Sequence, residues 1–389
     1  MAWISISKVL LILTSLIFLT SNKADERSDS YFNDLKTPGA IVLILFLLTI
    51  SLLWTDAQLH IAAKALAKHA KLLEVLLLIS LIRTVKQASI GIIAFLTGQV
   101  FLLIISYLLA AGLVIPWANQ SGGRNVVFSS YLDQSIMLAT TSALFWHLKN
   151  SLPVPKWITG LLAIASLANV FLFLDGRSGY AVGLVVLGLA AMWLMPKKIR
   201  LMALFGVPTI VLLLLFFGSN HLQERASKIF FEAQDYGANG KIESSSGWRL
   251  HAWRRSVEAI AEKPLIGHGV GSWTTTIKRI EGEKANIIFG EGLASNPHQE
   301  YLLWGVELGV LGSILLMFLI YCIIRDALNF EKSISRATIS VALAMGVACS
   351  FNSALYDSMI GDFFCIALGL LMALGIRKNA AEKNNIVSG

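Results

Sequence analysis

The sequence is poor in charge. Only 14% of its 389 residues are Asp, Glu, Lys or Arg, while 56% are hydrophobic and the mean hydropathy is +0.68. Soluble globular chains carry about 25% charged residues, so this chain has too few to coat a water-facing surface. A soluble enzyme, a disordered chain and a nucleic-acid binder are excluded. Cysteine is scarce as well: Cys322, Cys349 and Cys365 lie in or beside apolar runs, with neither zinc-site spacing nor a disulfide framework. The long polar segment over 219–300 has no Asp-x-Asp pair. Glu281-Gly-Glu283 is the nearest approach, so no metal site is expected. That segment also lacks a Ser/His/Asp or Cys/His set that spacing would single out. There is no internal repeat and no matched pair of broken helices of the kind transporters use.

What the sequence has is long apolar runs. About 20 apolar residues cross a bilayer as a helix, and eleven such runs cover roughly 4–20, 39–55, 66–82, 88–115, 134–148, 157–174, 179–195, 200–218, 301–324, 337–355 and 359–376. The third is interrupted by Glu74 and crowded at its start by Lys64, Lys68 and Lys71. The first resembles a signal peptide in its charge pattern, but Ser21-Asn22-Lys23 offers no small-residue cleavage site, so it counts as a span. The expected fold is all-α, a polytopic membrane protein of about 11–12 transmembrane helices in three parts. These are N-terminal spans over 1–218, a large loop with an amphipathic helix over 219–300, and C-terminal spans with a tail over 301–389. The net charge of +8 is distributed unevenly. Among the short loops, those on the side of the C-terminus hold most of the Lys and Arg; those on the other side hold Lys64, Lys68, Lys71, Arg124 and Arg177. The positive-inside rule therefore puts the C-terminus in the cytoplasm and the 219–300 loop outside. Tryptophans near span ends suit interfacial anchoring.

Four polar stretches stand out on the outer side. In Ser295-Asn296-Pro297-His298-Gln299-Glu300, Pro297 stops any preceding helix, and His298 falls at the outer mouth of the ninth run. Gly305, Gly309 and Gly312 follow at i, i+4 and i+7, a stripe that would let another helix approach closely. Arg177, in Asp175-Gly176-Arg177-Ser178-Gly179, is either an anchor paired with Asp175 or an anion clamp whose flanking glycines admit a ligand. In 246–260, Trp253, Val257 and Ile260 recur at helical spacing. Arg249, early in that helix, opposes the dipole, which points to an anionic partner or an ion pair with Glu243. Gly267-His268-Gly269-Val270-Gly271 lacks the strand and signature residues of a phosphate loop and reads as a turn. Glu307, a charge within an apolar run, is either a partner orienting His298 or an interface residue.

Together these pieces resemble the O-antigen ligase superfamily of bacterial envelopes. The family signature is His, then Asn, Ser or Gln, nine residues, and Gly-x-x-Gly. Here His298-Gln299 is followed by Glu300 to Leu308 and then Gly309-Val310-Leu311-Gly312. Ser246 to Trp273 is similar to the family's loop helix, and Asp175 to Tyr180 to its arginine turn. The resemblance implies a multi-pass glycosyltransferase of the bacterial inner (cytoplasmic) membrane with its active site facing the periplasm. Its donor would be a glycan on undecaprenyl diphosphate and its acceptor a sugar hydroxyl of the lipid A core. It implies His298 as general base and Arg177 and Arg249 as holders of the diphosphate, supported by Gln299, Glu307, Gly309 and Gly312. No cofactor, metal or nucleic acid is involved; membrane lipid is the only other partner. An O-antigen polymerase of the same superfamily uses the same donor. A flippase of lipid-linked glycans would instead need charges buried along a path.

Overall fold

The computed structural model describes residues 34–119, 122–218, 220–239, 242, 244–284 and 296–388. The expected first span, 4–20, lies outside them, as does Glu243. The described residues form helices and no strand, as an all-α membrane protein requires: lipid leaves no partner for an unpaired backbone group, and a helix satisfies its own. Seven helices among them are long and apolar enough to cross a bilayer. These are α4 (Val85–Ala110), α6 (Lys156–Phe173), α7 (Arg177–Leu194), α8 (Arg200–Gly218, extended back to Lys197), α13 (Val310–Ala327), α14 (Lys332–Phe351) and the apolar part of α15 (Ser358–Ser388). Between them stand α1 (Thr37–Ile50), α2 (Leu59–His69), α3 (Leu72–Leu81) and α5 (Tyr131–His147). The polar segment folds as α9 (Asn220–Asn239), α10 (Ser245–Glu262) and α11 (Trp273–Glu281), and α12 (Glu300–Leu308) follows it.

The core is the junction of α5, α7 and α14, backed by α15, which is the most buried span. α8 sits at the opposite extreme. It buries only Ala203 and leans on α7 where Gly188 lets Leu204 O approach; a Cβ there would lie 2.4 Å from that oxygen.

Four expectations are corrected. The run 66–82 is not one span but the end of α2 and all of α3, separated at Ala70 and Lys71. Lys71 turns inward, donating to the carbonyls of Leu355, Tyr356 and Asp357 at 3.0, 3.2 and 2.6 Å. The run 301–324 is broken at Gly309, whose φ of +71° no helix tolerates. After it, α13 folds back along α12, so that Ser313 Oγ donates to Tyr301 O at 2.8 Å. The three glycines are therefore not a stripe on one helix. Gly305 faces Ile260 of α10, Gly309 abuts Pro264 O, and Gly312 packs on Trp304 O of α12 itself, where a Cβ would sit 2.0 Å away. Finally, α10 does not bury Trp253, Val257 and Ile260 as its inner face. Val257 is exposed, and the buried face is His251 with the small residues Ser246, Gly247, Ala252, Ser256 and Ala259; this helix packs on α12.

Candidate functional site

Each of the three singled-out side chains is delivered by a helix start. Gly176 precedes α7, and Arg177 is its first residue. Ser244 caps α10, accepting from Gly247 N at 3.0 Å, and Arg249 follows in its second turn. Gln299 caps α12, its Oε1 accepting from Leu302 N at 2.6 Å, which sets His298 immediately before that helix. Gln299 thus acts on the helix and not on the ring of His298. Tyr301 Oη donates to Gly346 O of α14 at 3.1 Å, so the start of α12, with His298, is moored to the bundle.

Arg177 and Arg249 line one cavity of about 630 Å³, together with Tyr131, Lys228, Asp175 and Glu232. Arg177 Nη1 donates to Ser246 Oγ at 3.0 Å, tying α7 to α10. Burial, with the like charge of Arg177 alongside and only partly offset by Tyr131, holds the Arg249 guanidinium below its ordinary value. Among the described residues no carboxylate clasps Arg249, and two guanidiniums brought together in this way are costly unless an anion occupies the space between them. Gly176 and Gly179 do not open the site to a ligand. A Cβ on either would collide with Ser135 of α5, at 2.0 and 2.3 Å, so their role is to seat α7 on α5.

His298 lies within electrostatic reach of Arg249. Its backbone is left-handed at φ +51°, held by Asn296 Oδ1, which accepts from His298 N at 2.9 Å. Its ring meets Trp248 edge-on at 5.3 Å between centroids, and Trp253 Nε1 secures the preceding Pro297 O at 3.1 Å. Nδ1 is buried and has no hydrogen-bond partner among the described residues. Burial first, then the charge of Arg249, push the imidazole down to about 4. An unsatisfied ring nitrogen beside the charge of Arg249 is the kind of buried polar exception that calls for a ligand.

Two other histidines of this region, His251 and His268, are occupied. His268 is fully buried, with Nε2 donating to Ala259 O at 2.9 Å and Nδ1 2.7 Å from Asp56 Oδ2. His251 Nε2 lies 2.6 Å from Glu281 Oε1. The glycines around His268 serve a turn: Gly267, Gly269 and Gly271 all have positive φ, and Gly269 N donates to Glu307 O at 2.9 Å.

Glu307 does not orient His298. Completely buried, it accepts from Gly271 N at 2.8 Å and sits 2.9 Å from His69 Nε2, clasping α2 and the glycine turn to α12. Gly309 and Gly312 shape the break after α12 and likewise touch neither the ring nor the arginines. Sequence inspection missed the segment 352–357, most of which falls inside the apolar run read as 337–355. Asn352 Nδ2 donates to Ser178 Oγ at 3.0 Å, beside Arg177, while Leu355 N and Tyr356 N donate to Glu300 Oε2 at 3.0 and 3.2 Å, two residues from His298. One short loop therefore braces both halves of the site. Its polar run Asn352-Ser353, between two apolar runs, was the only available sign. No group of three His, Cys, Asp or Glu side chains placed to hold a metal occurs among the described residues.

Against known proteins, residues 161–317 match the O-antigen ligase family model, a stretch that runs from α6 into α13 and includes Arg177, Arg249 and His298. A Rickettsia conorii protein that carries the provisional name polysaccharide ligase is 31% identical over 93 residues, 23% of this chain. The aligned part spans 22% of that relative's length.

Proposed function

We propose, from the match of residues 161–317 to the O-antigen ligase family model, that the chain is a member of that superfamily and a metal-independent, inverting glycosyltransferase of the bacterial inner membrane. It takes a glycan from undecaprenyl diphosphate and joins it to a sugar hydroxyl of the lipid A core on the periplasmic face. The observation that carries this reading is the shared cavity of Arg177 and Arg249, with His298 close enough to Arg249 to feel its charge. A diphosphate is a good leaving group once its developing charge is met, and guanidiniums meet phosphate oxygens in pairs while staying charged. The acceptor hydroxyl attacks the anomeric carbon as the carbon–oxygen bond to the diphosphate breaks. His298 takes the hydroxyl proton, and undecaprenyl diphosphate leaves into the arginine pocket. Attack opposite the leaving group inverts the anomeric centre.

The low proton affinity of His298 fits this order of events. In the empty site it is neutral near pH 7 and free to accept. A bound diphosphate offsets the charge of Arg249 and strengthens the base just when it is needed. The polyprenyl tail cannot run along Gly305, Gly309 and Gly312, because α10, Pro264 and α12 fill those faces.

Purified protein supplied with a polyprenyl-diphosphate glycan and a defined lipid-core acceptor tests the reading. Transfer is expected to persist in EDTA; loss in chelator, restored by a divalent cation, overturns the metal-independent step. His298→Ala retaining full transfer overturns the base. Cells lacking the protein separate ligase from polymerase: long lipid-linked chains above bare cores mark a ligase, single-repeat caps a polymerase.

A further inference from the structure

α2 carries a cationic stripe that the diphosphate pocket does not use. His60, Lys64 and Lys68 recur at i, i+4 and i+8; the first two are exposed, and none of the three lines the cavity of Arg177 and Arg249. The opposite face of the helix, Ala62, Ala65 and His69, is buried. Leu59 at its start is 71% exposed, and Leu53, just before it, is 85% exposed. An amphipathic helix with bare leucines at one end and lysines above lies at the level of lipid headgroups. On the topology argued above that surface is periplasmic, where lysine is disfavoured. Lys71 has a structural reason to be there, in the three carbonyls it binds. Lys68 is half-buried over the Tyr356 ring at 4.0 Å, at the edge of the 352–357 loop; burial lowers its pKa, and the charges of Asp357, Glu300 and Glu307 oppose that fall. Glu300 is already taken up by Leu355 N, Tyr356 N and Trp304 Nε1, and Glu307 by His69 and Gly271 N. Lys64, one turn away, stands exposed in line with it.

We infer that His60, Lys64 and Lys68 form a second anion site, which seats a phosphorylated glycolipid of the outer leaflet by its headgroup phosphate. Resting on the transferase reading, this makes that glycolipid the acceptor: a phosphate on the stripe anchors it at the headgroup level, and Lys68 borders the Glu300 that follows His298 by two residues. The site differs in kind from the arginine pocket: the ammonium groups of Lys64, which is exposed, and Lys68, which is half-buried, are point charges suited to a headgroup that arrives laterally.

The test uses the full chain in nanodiscs and a glycolipid bearing a phosphate monoester on the sugar next to its acyl chains, intact or treated with phosphatase. Binding is read by native mass spectrometry and transfer by KM. The wild type should hold the phosphorylated glycolipid more tightly than the treated one. Lys64→Gln with Lys68→Gln should lose about tenfold in binding and raise the acceptor KM equally, leaving the treated glycolipid, the donor KM and kcat unchanged; Lys→Arg at both positions should restore binding. Should Lys68→Gln fail to fold, Lys64→Gln alone, at an exposed position, should lose several-fold. Equal binding by wild type and variants overturns the site. Displacement of the glycolipid by millimolar inorganic phosphate overturns its assignment to a lipid headgroup. Tight, lysine-dependent binding without any transfer overturns the transferase reading and leaves the site standing.

Discussion

His298 combines three unfavourable states: a left-handed backbone without glycine, a buried ring nitrogen without a partner, and an arginine beside it. Each costs free energy in the empty protein, and a hydroxyl donor together with an anion relieves the last two. The pH dependence follows. Because burial and Arg249 lower its pKa to about 4, the free protein keeps a neutral base down to that region. The acid limb of kcat/KM, which reports the free enzyme, should fall near pH 4 and not near the ordinary 6.5 of histidine. The limb of kcat, which reports the complex, should lie higher, since the bound diphosphate counters the arginine. Arg249→Gln removes a like charge, so a proton-NMR titration should find the His298 pKa raised, though still below 6.5 because burial remains. A His298 pKa lowered or unmoved by that change would refute the coupling. Arg177→Lys should raise the donor KM about tenfold or more, because an ammonium cannot form the paired contacts of a guanidinium.

At the scale of the element, the unit His-Gln, nine residues, Gly-x-x-Gly has a mechanical meaning. Gln299 caps α12, the nine residues are its length, Gly309 breaks it in a left-handed turn, and Gly312 admits the returning backbone at Trp304 O. The spacing therefore sets where His298 stands relative to the membrane span. Gly309→Ala should cost about 2 kcal/mol or more, from the left-handed φ plus a Cβ 2.4 Å from Pro264 O. Thermal unfolding in nanodiscs would show it, and an unchanged midpoint would contradict the break. Asn352→Ala leaves Ser178 without its donor, a loss of about 1–3 kcal/mol. It should loosen α7 at Arg177, so the donor KM rises more than kcat falls.

Over the whole molecule, the site is a junction of distant segments held by buried polar clasps. His69 and Glu307, 238 residues apart, join α2 to α12, while Asp326 accepts from Thr37 N at 2.7 Å and pins α1 to the other end of α13. Breaking a buried pair leaves an uncompensated polar group, so Glu307→Ala should destabilise by about 3 kcal/mol. The molecules that remain folded should show the wild-type pH limb, since Glu307 does not touch His298. A displaced limb would return Glu307 to the chemistry.

Hydropathy is local, and the sequence alone therefore determined the class of the protein, most of its long helices and the polar stretch between α8 and α12. Arg177 stood out as a charge between two apolar runs, His298 as the residue after Pro297 at the mouth of a run, and Arg249 as a charge opposing its helix dipole. Other features depended on partners far along the chain, and these only the tertiary structure decided. Apolar residues flank Gly309 on both sides, so nothing in composition marks the break; it follows from one φ angle and from Pro264 arriving to fill the gap. Glu307 looked like an oddity near His298 because His69 and the Gly271 amide, its true partners, come from other segments. Gly176 and Gly179 looked like room for a ligand, and Ser135 of another helix takes that room. A residue's periodicity states which face it shares, but what packs on that face is set by the whole chain's closest packing.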